Sequence, residues 1–138
     1  MSDLSLTAAP ARRGAAVVAG GIAAAVLVSS VINAVIAVTA LAIGAPDDFQ
    51  PLKPGSYIFL TTVGVLIGAG GWALVRKASK APEALVRWLV PAVVVVSFVP
   101  DFLLWNAGGA TGVIALLLMH VAVAAIAVTA YRKVMPLA

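Results

Sequence analysis

The chain has 138 residues, 63% of them hydrophobic and only 10% charged, with a mean hydropathy of +1.13. A soluble domain keeps roughly a quarter of its residues charged, so this chain lacks the polar surface to face water on all sides and must present apolar surface to lipid. It has no cysteine, which excludes disulfides, thiolate metal sites and CxxC redox pairs, and its formal charge of +4, with no basic face away from the segment ends, points to orientation in a membrane rather than to nucleic acid.

Four apolar runs follow one another, at about 14–43, 57–75, 88–105 and 111–131, where roughly 20 residues suffice to cross the hydrocarbon. Arg12 and Arg13 precede the first run. A signal-peptide core is typically 7–15 residues and this run is about twice as long, so it is expected to be retained as a span. Within it, Gly20/Ala24 and Gly21/Ala25 repeat a small-xxx-small theme, and Ser29, Ser30 and Asn33 bring polar groups to mid-span. "GAPDDFQPLKPGS" (44–56), with three prolines and two aspartates, reads as an external connector, with a lid over a pocket or a partner surface as alternatives.

In the second run Thr61, Gly64, Gly68 and Gly71 share one helical stripe. Gly64 and Gly68 form a GxxxG that lets backbones approach closely, expected to serve packing within the chain, with a dimer face as the alternative. "RKASKAPEALVR" (76–87) is a basic loop, and "NAGG" (106–109) a tight turn between the third and fourth runs. Eight of the nine Lys and Arg fall before the first run, between the second and third, or after the fourth, leaving Lys53 alone on the other side. The positive-inside rule then predicts N-in, C-in topology, with 44–56 external and 76–87 cytoplasmic. Trp72, Trp88 and Tyr131 are expected at the inner interface, Tyr57 and Trp105 at the outer one. Lipid leaves only helices or closed barrels as spanning structures, and alternating ten-residue strands are absent. The expected fold is therefore all-α, a polytopic four-helix bundle forming one transmembrane domain over 1–138.

"SFVPDFLLWN" (97–106) places a carboxylate inside an apolar run. Asp101 lies four residues inside Trp105, about 6 Å at helical rise. An intramembrane carboxylate normally faces the bundle interior with a partner and is a functional candidate by default. Pro100 cannot donate to the carbonyl of Val96 and so frees it, and Ser97 lies one turn from Asp101 on the same face. The only histidine, His120, stands at similar depth in the fourth run, as do Asn33 in the first and Thr61 in the second. The inner half reads as almost purely Ala, Val, Leu, Ile and Gly. Asp101, His120, Asn33 and Ser97 are thus expected to converge in one outer-half polar pocket, supported by Pro100, Thr61 and Met119. For each residue, simple helix-to-helix bonding is the structural alternative.

Other chemistries lack their residues. Retinal needs an intramembrane lysine and bis-histidine haem a second histidine, so no cofactor is expected. The spacing of His120, Asp101 and Asn33 carries no metal signal, and no nucleophile-elbow or phosphate-loop motif occurs in an exposed segment.

At "SFVPDFLLW" and "LLLMH" the chain resembles a family of small bacterial four-span membrane proteins catalogued as a domain of unknown function. The resemblance extends over "PLKPGSY", "VGVLIGAGGWALVRK" and "YRKVMP". It implies that Ser97, Pro100, Asp101, Met119 and His120 are signature positions, and it implies no activity. The favoured reading is a non-enzymatic membrane protein whose pocket binds a small polar ligand or handles protons through a coupled Asp101–His120 pair. Its behaviour should then depend on pH between about 5 and 8. The alternative is a structural or accessory subunit that docks through its glycine stripe onto itself or a membrane partner. A membrane enzyme acting on a lipid or quinone is a third reading.

Overall fold

The computed structural model of the chain describes residues 12–137. Four helices fill it: α1 (Ala15–Ala42), α2 (Pro54–Ala78), α3 (Pro82–Leu103) and α4 (Trp105–Val134). Each is long and apolar enough to cross a membrane, so the chain is a multi-pass, all-helical bundle. The last three outrun their apolar stretches because helix geometry continues past the hydrocarbon into polar residues. Prolines start both α2 and α3, where the missing N–H is one that a helix leaves unpaired anyway. The basic 76–87 segment therefore shrinks to a connection of Ser79–Ala81, and Leu104 alone separates α3 from α4.

Two glycines set the corners. Gly44, at φ 110, lets α1 end in a Schellman cap: the N–H of Ala45 reaches the carbonyl of Ala40 and that of Gly44 the carbonyl of Leu41. Gly109, at φ 60 and ψ −173, breaks α4 near its start, so the turn expected at 106–109 is a kink after one helical turn.

Packing follows membrane rules, with small residues inside and large ones outside. On α1 the buried stripe is Ala25, Ser29, Asn33, Ala37 and Ala40, while Leu27, Val31, Val35 and Val38 point outward. α1 lies antiparallel along α4. A Cβ at Gly21 would fall 2.4 Å from a Val134 methyl, and at the opposite end Ala37 and Ala40 share a cluster with Ala115, Leu116 and Met119. Glu83 and Asp101 near the ends of α3 meet Arg132 and His120 of α4. The end carrying Arg76–Lys80 and Arg132 is called the basic end below.

The opposite end is closed by residues 44–53, which do more than connect. Ala45, Phe49 and Leu52 are buried, and a 3-10 turn at Gln50–Leu52 folds the segment back over the bundle. The Phe49 ring fills a notch on α4 where a Cβ at Gly108 would lie 2.5 Å from it and one at Gly112 3.0 Å. This strap, read from sequence mainly as a Pro-rich connector, caps the cluster of Tyr57, Leu116 and Met119.

Candidate functional site

Each helix places one polar side chain at nearly one depth, below the strap. From the Gly21–Val134 contact, twelve residues along α1 reach Asn33 and fourteen back along α4 reach His120. At helical rise these are about 18 and 21 Å, a difference of roughly half a turn. Asn33 Nδ2 donates to Thr61 Oγ1 of α2 at 2.9 Å, a buried bond. His120 Nδ1 stands 2.9 Å from Asp101 Oδ2 of α3.

Asp101 is only 6% exposed, whereas the His120 side chain is 38% exposed. The same Nδ1 also lies 2.9 Å from the carbonyl oxygen of Leu116. A bare lone pair would be repelled by two flanking oxygens, so the geometry assigns the proton to Nδ1 and leaves Nε2 as the nitrogen free to take another. Phe98 sets its ring edge-on to the imidazole at 6.3 Å. Asp101 Oδ2 thus has an ionic neighbour but no hydrogen bond in line with it. The two readings are compatible, because ion pairing needs only distance whereas a hydrogen bond needs angle.

The structure therefore brings the predicted residues together as two pairs, Asn33–Thr61 and Asp101–His120. Among the described residues no hydrogen bond joins one pair to the other. Ser97 stands apart: its hydroxyl donates to the carbonyl of Val94 at 2.6 Å. Met119 is buried beside the pair's helix turn, and Pro100 is exposed. Among the described residues no group of three or more His, Cys, Asp or Glu is arranged to hold a metal.

The glycine stripe splits. Only Gly68 meets another helix, where an added Cβ would lie 2.8 Å from the Tyr131 hydroxyl; Gly64 and Gly71 face open space. Packing within the chain thus uses one of the three glycines.

At the basic end the structure shows an aromatic clasp among the aliphatic residues expected there. Of the five aromatic residues expected at the two interfaces, Trp72, Tyr131 and Tyr57 are buried within the bundle, whereas Trp88, at 75%, and Trp105, at 50%, are strongly exposed. Trp72 Nε1 donates to the carbonyl of Met135 at 2.9 Å, and the Tyr131 hydroxyl donates to the carbonyl of Val65. Their rings stack tilted at 5.6 Å. Arg132 binds both carboxylate oxygens of Glu83, at 2.8 and 3.1 Å, and covers the Trp72 ring at 5.7 Å. The sequence signal for this clasp was the alignment of two aromatic residues with a glycine at one depth.

The model of a family of unknown function, DUF6069, matches residues 7–136. The chain belongs to that family. No curated protein and no solved structure matches it. DUF6069 membership agrees with the resemblance read at "SFVPDFLLW" and "LLLMH" and assigns no chemistry, while the four-span architecture rests on the four apolar helices. For this DUF6069 chain, function has to be argued from the side chains.

Proposed function

We propose that the chain is an inner-membrane protein whose Asp101–His120 pair takes up and releases a proton, or binds a small polar ligand, in the outer half of the bilayer. The observation that carries this reading is the 2.9 Å contact between a buried carboxylate and the only imidazole, supplied by different helices. Structural polar contacts in membrane bundles are mostly neutral and contribute about 0.6 kcal/mol on average. An ionisable pair is a poor choice where only packing is required. With Nδ1–H donated to the carbonyl of Leu116, protonation at Nε2 gives an imidazolium beside a carboxylate. That pair sums to zero charge and keeps its place in the low-dielectric interior. Eight of nine Lys and Arg at the basic end support placing that end in the cytoplasm and the strap outside.

The test is proton flux and small-ligand binding in proteoliposomes, measured from pH 5 to 8. Asp101→Asn and His120→Ala are each expected to abolish the pH-dependent signal while the protein still folds. If both variants match the wild type in flux and in binding, this reading fails.

A second reading rests on Gly64 and Gly71, which leave α2 with an open small-residue face. It makes the chain a subunit that docks on a copy of itself or a membrane partner through α2. Native mass in mild detergent separates the two: Gly64→Leu would then change the assembly while Asp101→Asn leaves it intact.

A further inference from the structure

Two serines of α1 depart from a pattern that four other helical hydroxyls keep. Thr39, Thr62 and Thr129 each donate to the carbonyl four residues earlier, at 2.8, 2.8 and 2.7 Å, and Ser97 donates to the carbonyl three residues earlier. This local bond is the default for a hydroxyl in an apolar helix, because it satisfies the donor without a partner helix. Ser29 and Ser30 do not make it, although both hydroxyl oxygens are buried; Ser29 is 0% exposed. One turn on, Asn33 is half satisfied. Its Nδ2 serves Thr61, while Oδ1 has no partner. Turning the amide over would move that deficit to Nδ2 without removing it. Asp101 Oδ2 is the fourth such atom.

Buried polar atoms are rarely left unpaired in folded proteins, and these four fall on helices whose polar residues share one depth. We propose that this layer holds internal water, which bridges Ser29 to Asn33 along α1 and Asn33 to Asp101 across the bundle, joining the two pairs into one hydrated site. The chemistry of the atoms selects the ligand. Asn33 Oδ1 and Asp101 Oδ2 need donors, and a serine hydroxyl takes either role, so the occupant must both donate and accept. Water does this with two to four partners in a small polar space. An apolar ligand would leave every one of these atoms unpaired. The neighbours of Ser29 and Asn33 on the buried stripe of α1 are Ala25 and Ala37, whose methyl groups offer these atoms no hydrogen-bond partner. This deepens the function proposed above and rests on it for its consequence: a wet layer reaching Asp101 suits a proton or a water-sized hydrogen-bonding solute.

The experiment is water-edited solid-state NMR on the full chain in lipid bilayers, which reads magnetisation passed from water to nearby side chains. In the wild type, early transfer is expected to Ser29, to the Asn33 amide and to the Asp101 carboxyl, but not to Ala25 or Val65. Asn33→Leu should abolish transfer to Asp101 with the Asp101–His120 contact retained, and Ser29→Ala, which removes one oxygen and little volume, should weaken transfer to Asn33. Absence of early transfer to Ser29 and Asn33 in the wild type overturns the proposal. Transfer to Asp101 that survives Asn33→Leu overturns the joining of the two pairs. Either result leaves the proton reading to be judged separately, by flux in Asp101→Asn and His120→Ala.

Discussion

The two ends of the bundle solve the same problem differently. At the basic end, Trp72 and Tyr131 bury large rings and deliver their single donors to backbone carbonyls of Met135 and Val65. Both buried donors there have an acceptor, and the charged pair beside them, Arg132–Glu83, is exposed. Below the strap, four helices bring a carboxylate, an imidazole, an amide and a hydroxyl to one depth, and their atoms outnumber the partners the protein supplies. Closed hydrogen bonding around aromatic rings suits a clasp. Open hydrogen bonding around an ionisable pair suits exchange with something that is not protein.

The sharpest way to break this contrast is to compare truncation at each end. Tyr131→Ala removes a buried ring and its bond to α2, and is expected to destabilise the chain by about 3 kcal/mol or more, the range for large-to-small aromatic changes. Tyr131→Phe, which keeps the ring, should lose only about 0.6 kcal/mol. Asp101→Asn should abolish pH-dependent behaviour while shifting stability less than Tyr131→Ala does. Reversible unfolding in mixed detergent reads all three. Were Asp101→Asn as damaging to stability as Tyr131→Ala, the site below the strap would be structural as well, and the division between the ends would be lost.

The strap sharpens the comparison, because it closes the end of the bundle nearest the polar layer. Gly108→Val pushes side-chain atoms into the space of the Phe49 ring, and overpacking of this kind costs about 1–3 kcal/mol. The same change at Gly64, which meets open space, is expected to have almost no effect on stability. Hydrogen exchange over residues 44–53 should rise in Gly108→Val and stay unchanged in Gly64→Val. Equal exchange in the two variants would mean that Phe49 does not hold the strap down.

Four spans and an all-helical bundle were legible because lipid imposes length and apolarity on any segment that crosses it, and composition alone carries that signal. Asp101 and His120 were legible as individuals because charge in a greasy run is costly wherever it points. Their contact was harder to foresee, since it depends on how α3 and α4 rotate about their axes. Ser97 illustrates the gap: it shares a helical face with Asp101, yet its hydroxyl turns back to Val94. Phe49 was hidden for a different reason. An aromatic residue in a Pro-rich loop looks the same in sequence whether it waves in solvent or fills a notch, and the notch is made by Gly108 and Gly112, more than fifty residues away. The mutual packing of Trp72 and Tyr131 was not legible, because an aromatic residue at a helix end serves a lipid interface or a core equally well until the neighbouring helix is in place.

The smallest effect concerns the rim of the clasp. Arg132 and Glu83 are 46% and 58% exposed as side chains, and exposed ion pairs contribute about 0–1 kcal/mol, less as salt rises. The guanidinium also lies over Trp72, an attraction of about 0.5–1 kcal/mol at an exposed site. Arg132→Gln removes both, whereas Glu83→Gln removes only the ion pair. Thermal unfolding at low and high salt separates them. If the ion pair carries the effect, the two variants should be destabilised equally at low salt and the difference from wild type should vanish at high salt. If the ring contact carries it, Arg132→Gln alone should be destabilised and more of the loss should survive added salt. The geometry favours the second outcome, because stacking on a buried indole shields one face of the guanidinium from water while the carboxylate stays solvated.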